Sequence, residues 1–442
     1  MAGEDAARFG GPPCSPEIAA KMPDSRLMTA PTFDGVDLIE LAQRFGTPLQ
    51  VYSAGDVRAR VQSLTRALHG LDALICYAVK ANSSHALLKL VAALGAGADI
   101  VSGGELERSL RAGIPGERIV FSGVGKTAEE IRTALRAGVG RFNVESADEL
   151  ECLSGVAREL GTVACAAVRI NPDVDANTHA KISTGRAENK FGVSIDEARS
   201  WFAQARDFTH VALNGLHVHI GSQILSLEPF RQALQVVDGF RRELESSGHA
   251  ISSIDVGGGL GVRYRAAQDS PPDVADYVAV IREALRDFHG RIVLEPGRWL
   301  VAEAGILLTR VIRIKQGSER RFLIIDAAMN DLPRPSLYGA WHDIVHVGQA
   351  SGPVLAYDIV GPVCETGDTF AQARELAECK GGDLLAIKTT GAYSASMASN
   401  YNSRPLLAEV MVDGGRHALI RQRQSLDAMI ADEVTTPQWI SE

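Results

Sequence analysis

No run of about 18 or more apolar residues occurs anywhere in the 442-residue chain, so no helix is expected to cross a membrane. Cysteine is sparse and unpatterned. Cys14, Cys76, Cys152, Cys165, Cys364 and Cys379 include no CxxC pair, whereas a zinc site or disulfide framework needs close, repeated spacing. No metal is therefore expected, and a reduced, cytoplasmic location fits best. Positive charge is in deficit: 45 Lys and Arg stand against 54 Asp and Glu, a net charge of −9. Such a chain has no electrostatic reason to bind nucleic acid. Glycine fingerprints for nucleotides are missing as well. Gly125-Lys126-Thr127 has Val120 where a P-loop needs glycine, and Gly257-x-Gly259 has Val262 where a dinucleotide turn needs its third. Residues 1–31 lack a basic start followed by an apolar run, so they read as a flexible leader rather than a secretory signal.

What the chain does have is the balance of an ordinary folded protein, 45% apolar and 22% charged. Between about residues 54 and 297, short Val/Ile-rich runs alternate with amphipathic stretches. The runs are Leu74–Val79, Ala98–Val101, Arg118–Phe121, Arg141–Val144, Val163–Ile170, Leu213–Ile220, Ile254–Val256 and Ile292–Leu294. Runs of this kind are strands buried on both faces. Ser84–Leu94 and Pro229–Leu244 carry apolar residues at helical spacing. Eight strand–helix units in series over this length predict a (β/α)8 TIM barrel, with a doubly wound open sheet as the alternative. From Arg298 to about 436 the rhythm changes to turn-separated strands: Gly305–Lys315, Arg321–Asp326, Gly382–Lys388 and Leu406–Val412. This predicts a second, mostly antiparallel β domain, to which residues 32–53 add a strand through Pro48–Tyr52. The fold class is thus α/β plus β.

The unusual residues fall just after the strand runs: Tyr77–Asn82 (YAVKAN), His219–Gln223 (HIGSQ), Gly257–Gly259 and Glu295–Arg298 (EPGR). In a barrel these ends share one rim, where barrel enzymes work. Lys80, partly desolvated there, would lose basicity and become a nucleophile toward aldehydes. Read alone it is equally a lysine snorkelling at a strand end. The Gly257–Gly259 turn exposes backbone N–H groups able to cradle a phosphate, or is simply a tight turn. His217 and His219 lie two apart, on one face of a strand, with no further ligand cluster evident. Packing or stacking suits them better than metal binding. Glu295 is either one half of an ion pair with Arg298 or a carboxylate that keeps a cofactor nitrogen protonated. In the second domain, Cys364–Asp368 (CETGD) sets a thiol among carboxylates in a turn. Arg334 and Tyr338 suit a carboxylate, and Gly391–Ser394 permits close backbone approach.

Taken in order, YAVKAN, HIGSQ, the glycine turn, EPGR and CETGD resemble the alanine-racemase-fold, pyridoxal-phosphate-dependent amino-acid decarboxylases over about residues 33–419. Arg169–Gly192 (RINPDVDANTHAKISTGRAENKFG) is most similar to the members that convert meso-2,6-diaminopimelate to L-lysine and CO₂, the last step of bacterial-type lysine biosynthesis. The resemblance implies pyridoxal 5′-phosphate held covalently by Lys80. Glu295 would pair with its ring nitrogen, His219 would stack on the ring, and Asp99 would support Lys80 or the ring. Ser222, Gly258, Gly259, Gly297, Arg298 and Tyr393 would bind the phosphate. Arg298, Arg334 and Tyr338 would grip the distal carboxylate of the substrate, and Glu365 its ammonium. The resemblance also implies a head-to-tail homodimer in which Cys364 of one copy serves as proton donor in the other. Decarboxylases of ornithine, arginine or carboxylated diamines, an amino-acid racemase, and a non-catalytic binder of the cofactor are the competing readings.

Overall fold

The computed structural model describes residues 27–28, 31–175 and 190–440. Most of the 1–31 leader, and residues 176–189 of the Arg169–Gly192 stretch, lie outside those residues. Within the leader, Leu27–Met28 pairs in parallel with Ile344–Val347, so this part is tied to the second sheet rather than loose.

Eight parallel strands form a closed barrel: Ala73–Ala78, Gly97–Ile100, Ile119–Phe121, Arg141–Val144, Ala164–Arg169, Val211–His217, Ser253–Asp255 and Arg291–Leu294. Each pairs with its neighbour in sequence, and the last closes on the first through Leu294 opposite Ile75. The local sequence explains why a helix starts after so many of them. Ser102-x-x-Glu105, Thr127-x-x-Glu130, Ser146-x-x-Glu149 and Ser194-x-x-Glu197 each place a hydroxyl on the N–H three residues on, satisfying a donor that a helix start leaves orphaned. At Thr127 the Glu130 side chain returns the bond, closing a capping box. Lys126 beside it is buried against Glu149 at 2.7 Å and donates to the Asn143 carbonyl at 2.9 Å, which gives this false P-loop a structural job.

The second domain is a ten-stranded sheet with six antiparallel and three parallel pairings. Leu49–Ser53, buried throughout, lies between Gly305–Gln316 and Ala408–Asp413. Ser53 then caps the helix Ala54–Ala67 that leads to the barrel. Besides Leu27–Met28, four strands of this sheet were not anticipated from the sequence: Ile344–Val347, Val354–Val360, Thr369–Ala377 and Arg416–Arg421. Thr369–Ala377 (TFAQARELA) is built from helix formers, and only its antiparallel partner Val354–Val360 holds it extended.

The two domains meet beside the first barrel strand. Asn82 Nδ2 donates to the Gly391 carbonyl at 3.0 Å, the Tyr393 N–H to Ala81 at 2.8 Å, and the Gly391 N–H to Ala302 at 3.0 Å. A Cβ on Gly391 would lie 1.8 Å from the Val301 carbonyl, so only glycine allows this approach. Gly391→Ala is therefore expected to cost about 1–3 kcal/mol of stability through overpacking. Gly239→Ala, on an exposed helix face with nothing within 4 Å, is expected to be neutral or slightly stabilising. Thermal melts of the two variants check this.

Candidate active site

The cleft at the C-terminal rim of the barrel has about 610 Å³ of empty space, part of it open to solvent. Lys80, His219, Ser222, Gly258, Gly259, Glu295, Gly297, Arg298 and Tyr393 line it, and they come from five separate chain segments. The closing of the barrel brings together all but Tyr393, which the second domain supplies across the junction.

Lys80 sits on a single helical turn, Val79–Ala81, immediately after the first strand. Its amine lies 3.0 Å from Asp99 Oδ2 on the second strand, and two-fifths of its side chain remains exposed to the cleft. The sequence predicts a lysine of reduced basicity, and the structure corrects this. Burial does lower its affinity for the proton, but Asp99, Glu295 and Tyr393 together outweigh burial and raise it. The amine is held as a cation, aimed by Asp99.

Glu295 directly follows the eighth strand. Its Oε1 accepts from Asn143 Nδ2 at 3.1 Å and Ser122 Oγ at 3.2 Å, and its Oε2 faces His217 Nε2 at 3.3 Å. Asn143 Nδ2 also lies 3.2 Å from Asp255 Oδ2. Burial pushes the Glu295 carboxyl up, but His217 and Lys80 outweigh it and hold the group well below the usual carboxylate range. Asp255 moves the other way, pushed up by burial and by the charge on Glu295. Sequence reading left Ser122, Asn143 and Asp255 without roles and found no ligand cluster around His217. The ligand atoms of His217, Asp255 and Glu295 in fact lie within 4.8 Å of one another.

The strand ends at His217, so the alternation argument does not reach His219. His219 Nδ1 accepts the Gly258 N–H at 3.1 Å, which fixes its tautomer, and burial holds the ring neutral. Nor are all the glycine N–H groups open to a ligand: that of Gly257 goes to Asp255 Oδ1 at 2.9 Å, and that of Gly258 to His219. The turn needs glycine for its own packing too, since Gly257 and Gly259 have φ of +65° and +106° and a Cβ on Gly258 would lie 2.2 Å from the Glu295 carbonyl. Gly259 lines the cleft together with Ser222 and Arg298. Arg298 Nε and Nη2 hold Ser222 Oγ at 3.1 and 3.0 Å, and Tyr393 stacks 4.7 Å from the guanidinium.

Next to this cradle is a shelf whose arginines and Tyr338 the sequence marked, but whose Tyr264 and His342 it did not. Tyr264 OH accepts from Arg298 Nη1 at 2.7 Å, and the buried Arg334 stacks 4.2 Å from the Tyr264 ring. Arg334 Nη1 also lies 2.7 Å from His342 Nε2, whose Nδ1 is turned to the Lys388 carbonyl. Tyr338 stands close enough for both arginines to feel it. Cys364 and Glu365 are not brought to the cleft. They sit in a turn of the β domain, Cys364 exposed with its N–H on Asn402 Oδ1 at 3.1 Å, and Glu365 bonded to Tyr401.

The donor set fits a phosphorylated aromatic aldehyde: an amine for the carbonyl, a carboxylate for a ring nitrogen, and a hydroxyl, an arginine and a glycine turn for the phosphate. Removing Lys80 should leave Asp99 as an unpaired buried carboxylate. Asp99 is already raised by burial and by Glu295 against the pull of Lys80, so without the amine it should take up a proton as pH falls. The loss of melting temperature in Lys80→Met is thus expected to be larger at pH 8 than at pH 5. Lys80→Met combined with Asp99→Asn should recover most of it.

Residues 54–302 match the model for the pyridoxal binding domain of pyridoxal-dependent decarboxylases. Diaminopimelate decarboxylase of Zymomonas mobilis is 50% identical over 403 residues, covering 90% of this chain and 96% of that protein. The Pseudomonas aeruginosa enzyme is 50% identical over 408 residues, covering 92% and 97%. The crystal structure of Helicobacter pylori diaminopimelate decarboxylase complexed with L-lysine superposes with a TM-score of 0.86 at 43% identity, over 89% of this chain and 98% of that one. With the barrel, the second sheet and the cleft at their junction all in place, the chain belongs to the diaminopimelate decarboxylase family of pyridoxal-dependent carboxy-lyases.

Proposed function

We propose that the cleft decarboxylates meso-2,6-diaminopimelate to L-lysine and CO₂ with pyridoxal 5′-phosphate as cofactor. The observation that carries this reading is the convergence of Lys80, Glu295 and the Ser222–Arg298–Gly259 cradle in one cleft. When bound, the cofactor supplies an electron sink for the pair left behind by departing CO₂.

The protein's own residues prepare that chemistry. Asp99, 3.0 Å away and with its own proton affinity raised by burial, holds the Lys80 ammonium in place and can take its proton, which frees the amine lone pair for the aldehyde. Glu295, ionised by its surroundings, keeps a proton on the ring nitrogen. His219, a neutral ring of fixed tautomer, packs on the cofactor face. Ser222, Gly259, Gly297, Arg298 and Tyr393 hold the phosphate end, while the Gly258 N–H is spent on fixing the His219 ring. Arg298, Arg334 and Tyr338 take the distal carboxylate of the substrate. That grip orients the other carboxylate for departure and separates diaminopimelate from ornithine or arginine, which lack a second carboxylate.

A second copy of the chain completes the site. Cys364 and Glu365 are exposed and lie outside the cleft of their own chain, which supports a homodimer in which each turn reaches the neighbouring cleft. There Cys364 delivers a proton to the carbon that lost CO₂, and Glu365 meets the distal ammonium. None of the described helices is long and apolar enough to cross a membrane. The five described cysteines are free, which supports work in a reducing, cytoplasmic compartment.

CO₂ release measured with meso-, LL- and DD-diaminopimelate, ornithine and arginine tests the reading. Turnover of the meso compound alone or far ahead of the rest is expected, and equal turnover of ornithine would refute it. Cys364→Ala is expected to cut kcat by about 10²–10⁴-fold with cofactor binding intact, the loss typical of a missing general acid. Unchanged turnover would exclude the thiol. Arg334→Ala is expected to raise KM for diaminopimelate by about tenfold or more while sparing a substrate without a distal carboxylate, and equal effects on both would contradict the grip.

A further inference from the structure

Glu295 is not a lone carboxylate facing a ligand. It is the centre of a buried polar cluster drawn from seven of the eight barrel strands or the residues just past them. Asn143 on the fourth strand and Ser122 just past the third donate to Oε1 at 3.1 and 3.2 Å, and His217 on the sixth faces Oε2 at 3.3 Å. Asp255 on the seventh shares the Asn143 amide at 3.2 Å and is anchored by the Gly257 N–H at 2.9 Å. Asp99 on the second strand and Lys80 just past the first lie 3.0 Å apart and couple to Glu295 through charge. His217, Asp255 and Asn143 are all buried, with exposures of 1%, 0% and 0%. Polar groups this dry cost several kcal/mol unless each finds a partner, so core packing alone gives no reason to place them there.

We propose that His217, Asn143 and Asp255 are positioning residues that act on the cofactor through Glu295, fixing its carboxylate in one orientation and one ionisation state toward the ring nitrogen. This inference rests on the role proposed above for Glu295. A carboxylate offers about four lone-pair sites. Of these, Asn143 and Ser122 take two on Oε1, and His217 faces Oε2 at 3.3 Å, so both oxygens are held while the carboxylate still lines the cleft. Two adjacent buried carboxylates do not both ionise. Asp255 keeps the proton and Glu295 the charge, in line with the opposite displacements of the two groups. His217 stands on the Glu295 side of that balance, and Glu295 and Asp255 in turn raise its affinity for a proton despite burial.

The test needs a ligand without the atom on which these residues are said to act. 1-Deazapyridoxal 5′-phosphate has carbon in place of the ring nitrogen and keeps the aldehyde and phosphate. Binding of it and of pyridoxal 5′-phosphate to the full-length chain, stripped of cofactor, is measured by quenching of intrinsic fluorescence. Glu295→Gln serves as the reference. His217→Leu and Asp255→Leu are expected to weaken the natural cofactor by about tenfold or more while changing the deaza compound by less than about twofold. His217→Gln and Asp255→Asn, which keep a donor, should recover most of the loss. Equal losses for both ligands would reduce these residues to scaffold and overturn the inference, as would no loss for either. If the leucine variants do not fold, Asn143→Ser supplies the same comparison. If Glu295→Gln itself fails to distinguish the two ligands, the role of Glu295 falls. If it distinguishes them and the other variants do not, only the present inference falls.

Discussion

Three carboxylates, Asp99, Asp255 and Glu295, share one dry layer of the barrel with a single amine and a single imidazole. Left to themselves, three negative charges this close would repel strongly and take up protons. The layer survives because its charges are sorted. Lys80 pairs with Asp99, Glu295 is compensated by His217 and by the donors Asn143 and Ser122, and Asp255 is pushed toward its protonated form. That sorting sets a cationic amine beside a fixed anionic carboxylate at the mouth of the barrel. The rest of the molecule holds these groups at that mouth.

The second domain does the holding from outside. Its strand from Gly305 to Gln316 starts against Gly391, and the backbone from Gly391 to Tyr393 runs within hydrogen-bonding distance of Asn82 and Ala81, next to Lys80. Tyr393 is thereby laid against Arg298, which grips Ser222 and Tyr264, and Tyr264 lies under Arg334. A continuous chain of contacts thus links the phosphate cradle to the arginine shelf. The same domain carries Cys364 on its exposed face, away from the cleft of its own chain, which supports the proposed pairing with a second copy.

Much of this was legible in the sequence, for physical reasons. Strands buried on both faces are mostly apolar, so all eight barrel strands stood out as short apolar runs. Ligand-facing residues cluster at strand ends, so Lys80, His219 and Glu295 stood out as well. What stayed hidden depends on tertiary contacts. Tyr264 and His342 lie in loops with nothing local to mark them. Thr369–Ala377 has helical composition and is a strand only because of its partner. Asp99, Asn143 and Asp255 did leave a signal: each is a polar residue inside a strand whose neighbours are all apolar, and such a residue needs a buried partner. Which partner it finds depends on the closing of the barrel. The basicity of Lys80 was misjudged for a related reason, since sequence shows the burial but not the carboxylates that outweigh it.

The central claim is that one amine, Lys80, captures the cofactor aldehyde. Borohydride reduction of the holoenzyme followed by peptide mapping tests it directly, because reduction makes the bond between amine and aldehyde carbon permanent. A pyridoxyl-phosphate mass on the peptide containing Lys80, and on no other lysine, is the result this account predicts. The same mass on a different lysine, with Lys80 unmodified, would contradict it.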